Sequence, residues 1–445
     1  MSDPFKAYDI RGVYQRDIDE EFALNLGKAI GTYLKGEKIV VARDGRKSGD
    51  KLYPALIKGI LSTGKNVVTI GKVSTPQFYF SLYSGTACGG VIITASHNPK
   101  EYNGFKICSE NAVPIFKENG LEEIKQIMNK KEFNKKTPGH LIQKTINEEY
   151  VNEIKKLTKP IHRSYKILAD TGNGMGILEV KALKKIFGEK IHLEVMFAEI
   201  DGTFPNHECN PAINANLKQI VAKIKKEEFD FGVAFDGDAD RVIFVTNEGD
   251  IIPADIMIGI IGSNILKEGE RAGYEVRSSR AVKEILEENK IESFLFASGA
   301  PYIKKGMKKN SVQFAGEKSG HYVYQKLHYT DSSIYTIINV LNILDKTNKT
   351  LKELSSPLIE KYANSGEINY EVNDPNYALK EIKKEFTNEA KEILEIDGIS
   401  VYSDEYFFNV RKSNTEPLVR VNIEGNRENI VKELKEKIEH IISRA

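Results

Sequence analysis

Asp236, Asp238 and Asp240 stand at alternate positions in DGDADR, just after the apolar run FGVAF. Three carboxylates packed this closely repel, and their pKa values rise unless a cation neutralises them. Hard oxygen donors of this kind favour Mg2+ or Ca2+ over zinc. An EF-hand loop also opens with alternating acids. Its sixth position needs Gly, where Arg241 stands, and its twelfth needs Glu, where Asn247 stands, so a calcium hand is rejected. A solvated acidic turn is the bland alternative, but a turn needs one Asp or Asn rather than three beside an arginine. Three carboxylates leave Mg2+ coordination incomplete, and phosphate or water commonly completes it.

Ser96 and His97 follow the apolar run GGVIIT (89–94) in TASHNPKEYNGFK, which also carries Lys106. A buried strand ending in a polar turn projects side chains from the carboxyl edge of a sheet, where α/β proteins place chemistry. Ordinary turn structure in S-H-N-P is the competing reading. GEKSGH (316–321) presents Glu317, Ser319 and His321 between glycines that let a ligand approach the backbone. A polar hairpin would look the same. RKSNTEPLVR (411–420) gathers Arg411, Ser413, Asn414, Thr415 and Arg420. Guanidinium groups match phosphate bidentately, so this stretch favours anion binding over a plain Ser/Asn turn. DTGNGMG (170–176) fails the dinucleotide fingerprint, because Ile177 stands where its third glycine is required.

The elements that must position these residues alternate between strand and helix. The patterns predict helices over 19–35, 50–62, 74–84 and 147–157, near 117–130 and near 214–227. Strands are predicted at 38–43, 66–70, 89–94, 103–109, 165–170 and 191–197; the chain then runs through FDFGVAFDGDADRVIFV (229–245), with the apolar strand FGVAF ahead of DGDADR, to a hairpin turn at EGD (248–250). A third unit from about 251 reads helix, strand (275–279), helix (280–290), strand (292–297) and a helix near 350–361. After ANSGE (363–367) the texture changes to short strands over 394–424 and a closing helix at 428–445, an α+β tail.

A chain of 445 residues exceeds one ordinary core. Charged residues make up 29 % and the net charge is +1, which leaves no general footprint for nucleic acid. Cys88, Cys108 and Cys209 are scattered and odd in number, implying no disulfide framework and a reducing, cytoplasmic setting. No apolar run approaches the ~20 residues of a membrane span, and no signal-peptide core opens the chain.

Taken together, KAYDIRG (6–12), ARDGRKSG (42–49), TASHNP (94–99), NGFK (103–106), DGDADR (236–241), VRSSR (276–280), GEKSGH (316–321) and RKSNTEP (411–417) closely resemble, in order, the α-D-phosphohexomutase superfamily and its phosphomannomutase/phosphoglucomutase group. The resemblance implies an α/β fold of four domains around a central cleft. Three are related α/β domains with mixed sheets (1–152, 153–249 and 250–363), and the fourth is an α+β phosphate-binding domain (364–445). It implies a phosphoserine at Ser96, one Mg2+ on Asp236, Asp238 and Asp240 with Ser96 as a further ligand, and sugar hydroxyls on Glu317 and Ser319. Arg411, Ser413, Asn414, Thr415 and Arg420 would hold the non-transferring phosphate. Lys106, Arg11 and His321 are the groups suited to proton transfer or charge stabilisation, with Tyr8, Arg241, Arg277, Lys304 and His97 nearby.

The implied reaction is reversible. Phosphoserine donates to a hexose 1- or 6-phosphate, and a hexose 1,6-bisphosphate, which can also serve as activator, returns the other phosphate to Ser96. Two stretches depart from the family pattern. Ala300 stands in SGAPYIKK (298–305) where a histidine is common, and NHECNPA (206–212) replaces an NHHPDP-like run. The first bears on sugar preference. The opening KAYDIRG resembles the mannose and glucose mutases, whereas phosphoglucosamine mutases more often start TDGVRG-like, so glucosamine 1-phosphate is the alternative substrate. A non-catalytic sugar-phosphate sensor and a simple phosphatase are the readings from other classes. The expected partners are a hexose phosphate and, if any, a second copy of the chain in a homodimer.

Overall fold

The computed structural model describes residues 3–412 and 418–444. Ser413, Asn414 and Thr415 lie outside the described residues. The chain forms two compact units, Met1–Ile252 with Ser319–Leu351, and Pro253–Lys318 with Lys352–Ala445.

The first unit holds two mixed sheets. One runs in the order Ile10–Val13, Tyr102–Ser109, Gly89–Ile93, Lys38–Arg43, Asn66–Lys72, Leu141–Gln143. Gly89–Ile93, Lys38–Arg43 and Asn66–Lys72 are parallel, while Tyr102–Ser109 pairs antiparallel with Gly89–Ile93 and with Ile10–Val13. Its parallel strands are near-continuous apolar runs, as sheets covered on both faces require. Helices Glu20–Tyr33 and Gly49–Leu61 bury Leu26, Ile30, Leu52, Leu56 and Ile60 against Ile39, Val41 and Val91. Asp19 caps the first of them by accepting from the Phe22 amide, and Leu34, expected inside the helix, turns extended at its other end with its amide on the Ile30 carbonyl. The second sheet runs Ile251–Ile252, Val242–Thr246, Phe231–Phe235, Tyr165–Asp170, Ile191–Met196. DTGNGMG is a tight turn from Tyr165–Asp170 into helix Gly176–Phe187, with Gly172 and Asn173 both at positive φ.

In the second unit, Glu292–Phe296, Arg271–Glu275 and Phe314–Gly316 form a parallel array. The strand expected at 275–279 lies four residues earlier. Within the strand RAGYE, a Cβ on Gly273 would lie 2.3 Å from the Phe296 ring, so the glycine marks close packing rather than a break. The remaining sheet is antiparallel, in the order Ala363–Glu371, Leu418–Gly425, Tyr406–Lys412, Ile399–Tyr402, Glu392–Leu394. Helices Pro375–Phe386 and Glu428–Ile442 cover it through Ile382, Phe386, Leu434 and Ile438. Two expected domain boundaries fall inside elements. Residues 152/153 lie within helix Asn147–Leu157, and 363/364 lie within strand Ala363–Glu371. Within ANSGE, Ser365 and Gly366 form an irregularity, with Gly366 at φ 67°, that interrupts the strand's alternation.

Candidate active site

Ser96 sits three residues beyond strand Gly89–Ile93, and Asp236 directly follows strand Phe231–Phe235. Both are carboxyl edges of parallel strands. Ser96 is fully buried with φ 51°, a left-handed conformation rare for a residue with a Cβ. Thr94 Oγ1 accepts from the Ser96 amide at 2.9 Å. The Ser96 Oγ donates to Asp236 Oδ2 at 2.6 Å and lies 3.3 Å from His97 Nδ1. Gly237 is required at this meeting of loops, since a Cβ there would lie 2.5 Å from the Ser96 carbonyl oxygen.

The three aspartates are buried, and one oxygen from each lies within 4.8 Å of the others. Lys106, on strand Tyr102–Ser109, donates to Asp238 at 2.7 Å and to Asp240. Thr75 Oγ1 and Thr94 Oγ1 also donate to Asp238 Oδ2, at 2.7 and 3.2 Å. Burial, then the charges of Asp238 and Asp240, push Asp236 well above the ordinary carboxylate range. Burial also opposes ionisation of Asp238 and Asp240, but their partners together outweigh it and hold both low: Lys106 with the Thr75 hydroxyl for Asp238, and Lys106 with His321 and Arg241 for Asp240. Lys106 is raised in turn, the aspartates outweighing its own burial. Asp238 Oδ1 is buried with no hydrogen-bond partner. An orphaned carboxylate oxygen among three converging acids is the donor set a hard divalent cation fits.

Around this centre, Arg11 is held by Asp9 at 3.0 Å and donates to Asn98 Oδ1 at 2.5 Å. His321 Nε2 lies 3.2 Å from Asp240 Oδ1, and its Nδ1 is 2.9 Å from Ser319 Oγ. Arg241 Nε lies 3.4 Å from His321 Nε2, and its amide donates to Asp236 at 3.2 Å. His97 is held well below the usual imidazole value by burial and then by the charges of Arg241 and Arg11. Tyr8 is half-buried just before strand Ile10–Val13.

The second unit carries a separate set. Glu275 grips Arg277 through two hydrogen bonds, at 2.6 and 2.9 Å, and accepts from the Lys318 amide at 2.9 Å. Glu317 accepts from the Gly299 amide at 2.7 Å, at the start of helix Ala300–Asn310, which carries buried Lys304. Arg411 and Arg420 were expected on one loop. They are directly opposed partners on strands Tyr406–Lys412 and Leu418–Gly425. Glu367 receives Arg411 at 3.2 Å, and Arg420 and Arg277 at 3.4 Å each. Burial works against its ionisation, but the three arginines outweigh it and lower its pKa.

Sequence reasoning missed Thr75, Thr94, Glu275 and Glu367. For Thr75 a signal existed, because S-T-P-Q predicts a capped helix start whose threonine must point somewhere. Glu367 had none, since its partners lie 44 to 90 positions away in the chain.

Sequence models of the phosphoglucomutase/phosphomannomutase family match the chain in four blocks. These are alpha/beta/alpha domain I over residues 2–135, domain II over 148–249, domain III over 253–362 and the C-terminal domain over 367–441. A phosphomannomutase of Methanocaldococcus jannaschii is 37 % identical over 99 % of this chain and 97 % of its own length. A phosphoglucomutase of Neisseria meningitidis is 32 % identical over 99 % and 96 %. The crystal structure of a phosphoglucomutase/phosphomannomutase family protein from Burkholderia thailandensis superposes with TM-score 0.91 at 29 % identity, covering 99 % of this chain and 97 % of that one.

Proposed function

Because this chain belongs to the phosphoglucomutase/phosphomannomutase family of α-D-phosphohexomutases, we propose that it moves a phosphoryl group reversibly between the 1- and 6-positions of a mannose or glucose phosphate. The observation that carries this reading is Ser96 Oγ, 2.6 Å from an aspartate triad built on the neighbouring sheet edge.

Ser96 Oγ carries the phosphoryl group. The P–O bond to serine breaks as a bond to the free sugar hydroxyl forms, and the hydroxyl proton passes to a neighbouring base. The hexose 1,6-bisphosphate then reverses its ends and returns its other phosphoryl group to Ser96. Asp236, Asp238 and Asp240 would hold Mg2+, with phosphorylated Ser96 completing the set. The ion supplies charge withdrawal from the phosphoryl oxygens. Lys106 and Arg11 act as charge stabilisers, since each is fixed by carboxylates that favour its protonated form. His97 and His321 are the imidazoles placed to relay a proton. We assign Glu317 and Ser319 to sugar hydroxyls, and Arg277, Arg411 and Arg420 with Ser413, Asn414 and Thr415 to the phosphate that is not transferred. Tyr8, Lys304 and Arg241 complete the assigned set.

No described helix is long and apolar enough to cross a membrane, and among the described residues the three cysteines are free thiols. Both fit the cytoplasmic setting that we assign. The test is intact mass with a coupled assay on mannose, glucose and glucosamine 1-phosphates. The wild type should carry an added phosphate that Ser96→Ala lacks, and that variant should lose turnover. Full mutase activity in Ser96→Ala would sink the mechanism. Preference for glucosamine 1-phosphate would move the substrate to the alternative reading.

A further inference from the structure

Arg46, in the DGRKSG turn, is a fully buried arginine that the chemistry above does not use. Its terminal nitrogens donate to four carbonyls of a single loop. Nη1 reaches Pro99 at 2.7 Å and Tyr102 at 2.9 Å, and Nη2 reaches Ser96 at 2.8 Å and Asn98 at 2.6 Å. Those two nitrogens carry four N–H groups, so each carbonyl has its own donor. Asp44 orients the residue by accepting from its amide at 2.9 Å and placing Oδ2 3.2 Å from Nε. The guanidinium lies 5.0 Å from the Phe204 ring centroid. Gly202 packs so closely that a Cβ there would meet Arg46 Cα at 2.5 Å.

The loop needs such a clamp. Ser96 holds φ 51°, a conformation that disfavours side chains by about 1–2 kcal/mol. A carbonyl row turned inward away from water must find donors in the protein. We propose that Arg46 is the positioning residue of the Ser96 loop, its planar fork fixing the left-handed turn and hence the direction of Ser96 Oγ towards Asp236. The proposal rests on Ser96 being the phosphoryl carrier. Lysine cannot replace it, because an ammonium offers three N–H groups from one point rather than four in a plane.

The experiment compares wild type with Arg46→Lys in the full chain, by steady-state kinetics, intact mass and amide hydrogen exchange over residues 95–102. A loop freed by about 1 Å is expected to lower kcat by about a hundredfold. KM for the hexose phosphate should stay within twofold, since the assigned phosphate-binding arginines are untouched. Exchange over 95–102 should rise while the remaining amides stay protected. A purely structural role would lower thermal stability without dividing kcat from KM. Wild-type kcat in folded Arg46→Lys overturns the proposal, as does equal loss in kcat and protection throughout the chain. If Arg46→Lys is recovered unfolded, Phe204→Leu removes the ring beneath the guanidinium and touches none of the four carbonyls. Its kcat should then fall severalfold with KM held, and unchanged kcat overturns the proposal. Failure of the mutase reading itself is distinguishable, because wild type would then show neither phosphate on Ser96 nor turnover.

Discussion

Glu179 shows how a single buried carboxyl can set a pH limit. It accepts from Ser74 Oγ and from Tyr150 at 2.8 Å, yet burial dominates and lifts its pKa from 4.5 to about 7. The folded protein therefore keeps a proton that the unfolded chain releases. Its contribution is intact below pH 4.5 and is lost as pH rises through about 7. The loss amounts to about 3 kcal/mol above that range. Glu179→Gln should flatten this decline, read as urea midpoints at pH 5 and pH 8. An equal fall in both proteins would refute the assignment. Ser96 and the aspartates were legible as residues because their types and spacing are unusual. Asp238's dependence on Thr75, Thr94 and Lys106 was not, because those partners come from three separate elements.

At the scale of elements, the strand edges explain why the chemistry gathers where it does. Helix Thr75–Tyr83 begins with a capping box, and its first residue binds Asp238 by both amide and hydroxyl. One helix start thus stiffens the aspartate loop. Strand Ala363–Glu371 has a comparable role in the second unit. Arg411 and Arg420 face each other directly across a sheet, an arrangement that repels unless an anion intervenes. Glu367 supplies that anion from the third strand. Glu367→Gln should lower stability at low salt by about 1 kcal/mol, the upper range for a partly exposed pair. Inorganic phosphate should raise the melting temperature of the variant more than that of wild type. Identical phosphate responses would count against an anion site at these arginines.

For the whole molecule, binding of the proposed metal would be coupled to stability. A ligand that binds only the folded state stabilises by about 2.7 kcal/mol at a hundred times its dissociation constant. Mg2+ should therefore raise the melting temperature of wild type, and Asp238→Asn should lose most of that rise. Chelation should stop turnover of the proposed reaction, and persistent activity after thorough metal removal would refute the role of the triad. The four sheets account for all four family matches, so the chain carries the whole architecture.

By itself the sequence determined the α/β class, the run of strand and helix, and the identity of Ser96 and the three aspartates. Apolar periodicity and local residue chemistry are enough for the class, the elements and the aspartates, whereas Ser96 was raised above an ordinary turn only by the ordered set of motifs that resembles the family. Only the tertiary structure decided which partners fix these residues. Arg46 closing on the Ser96 loop, Lys106 between Asp238 and Asp240, and Glu367 among three arginines are contacts between residues 44 to 134 positions apart. No local pattern encodes such pairings, because they arise when buried charges and carbonyls must find partners within the packed fold.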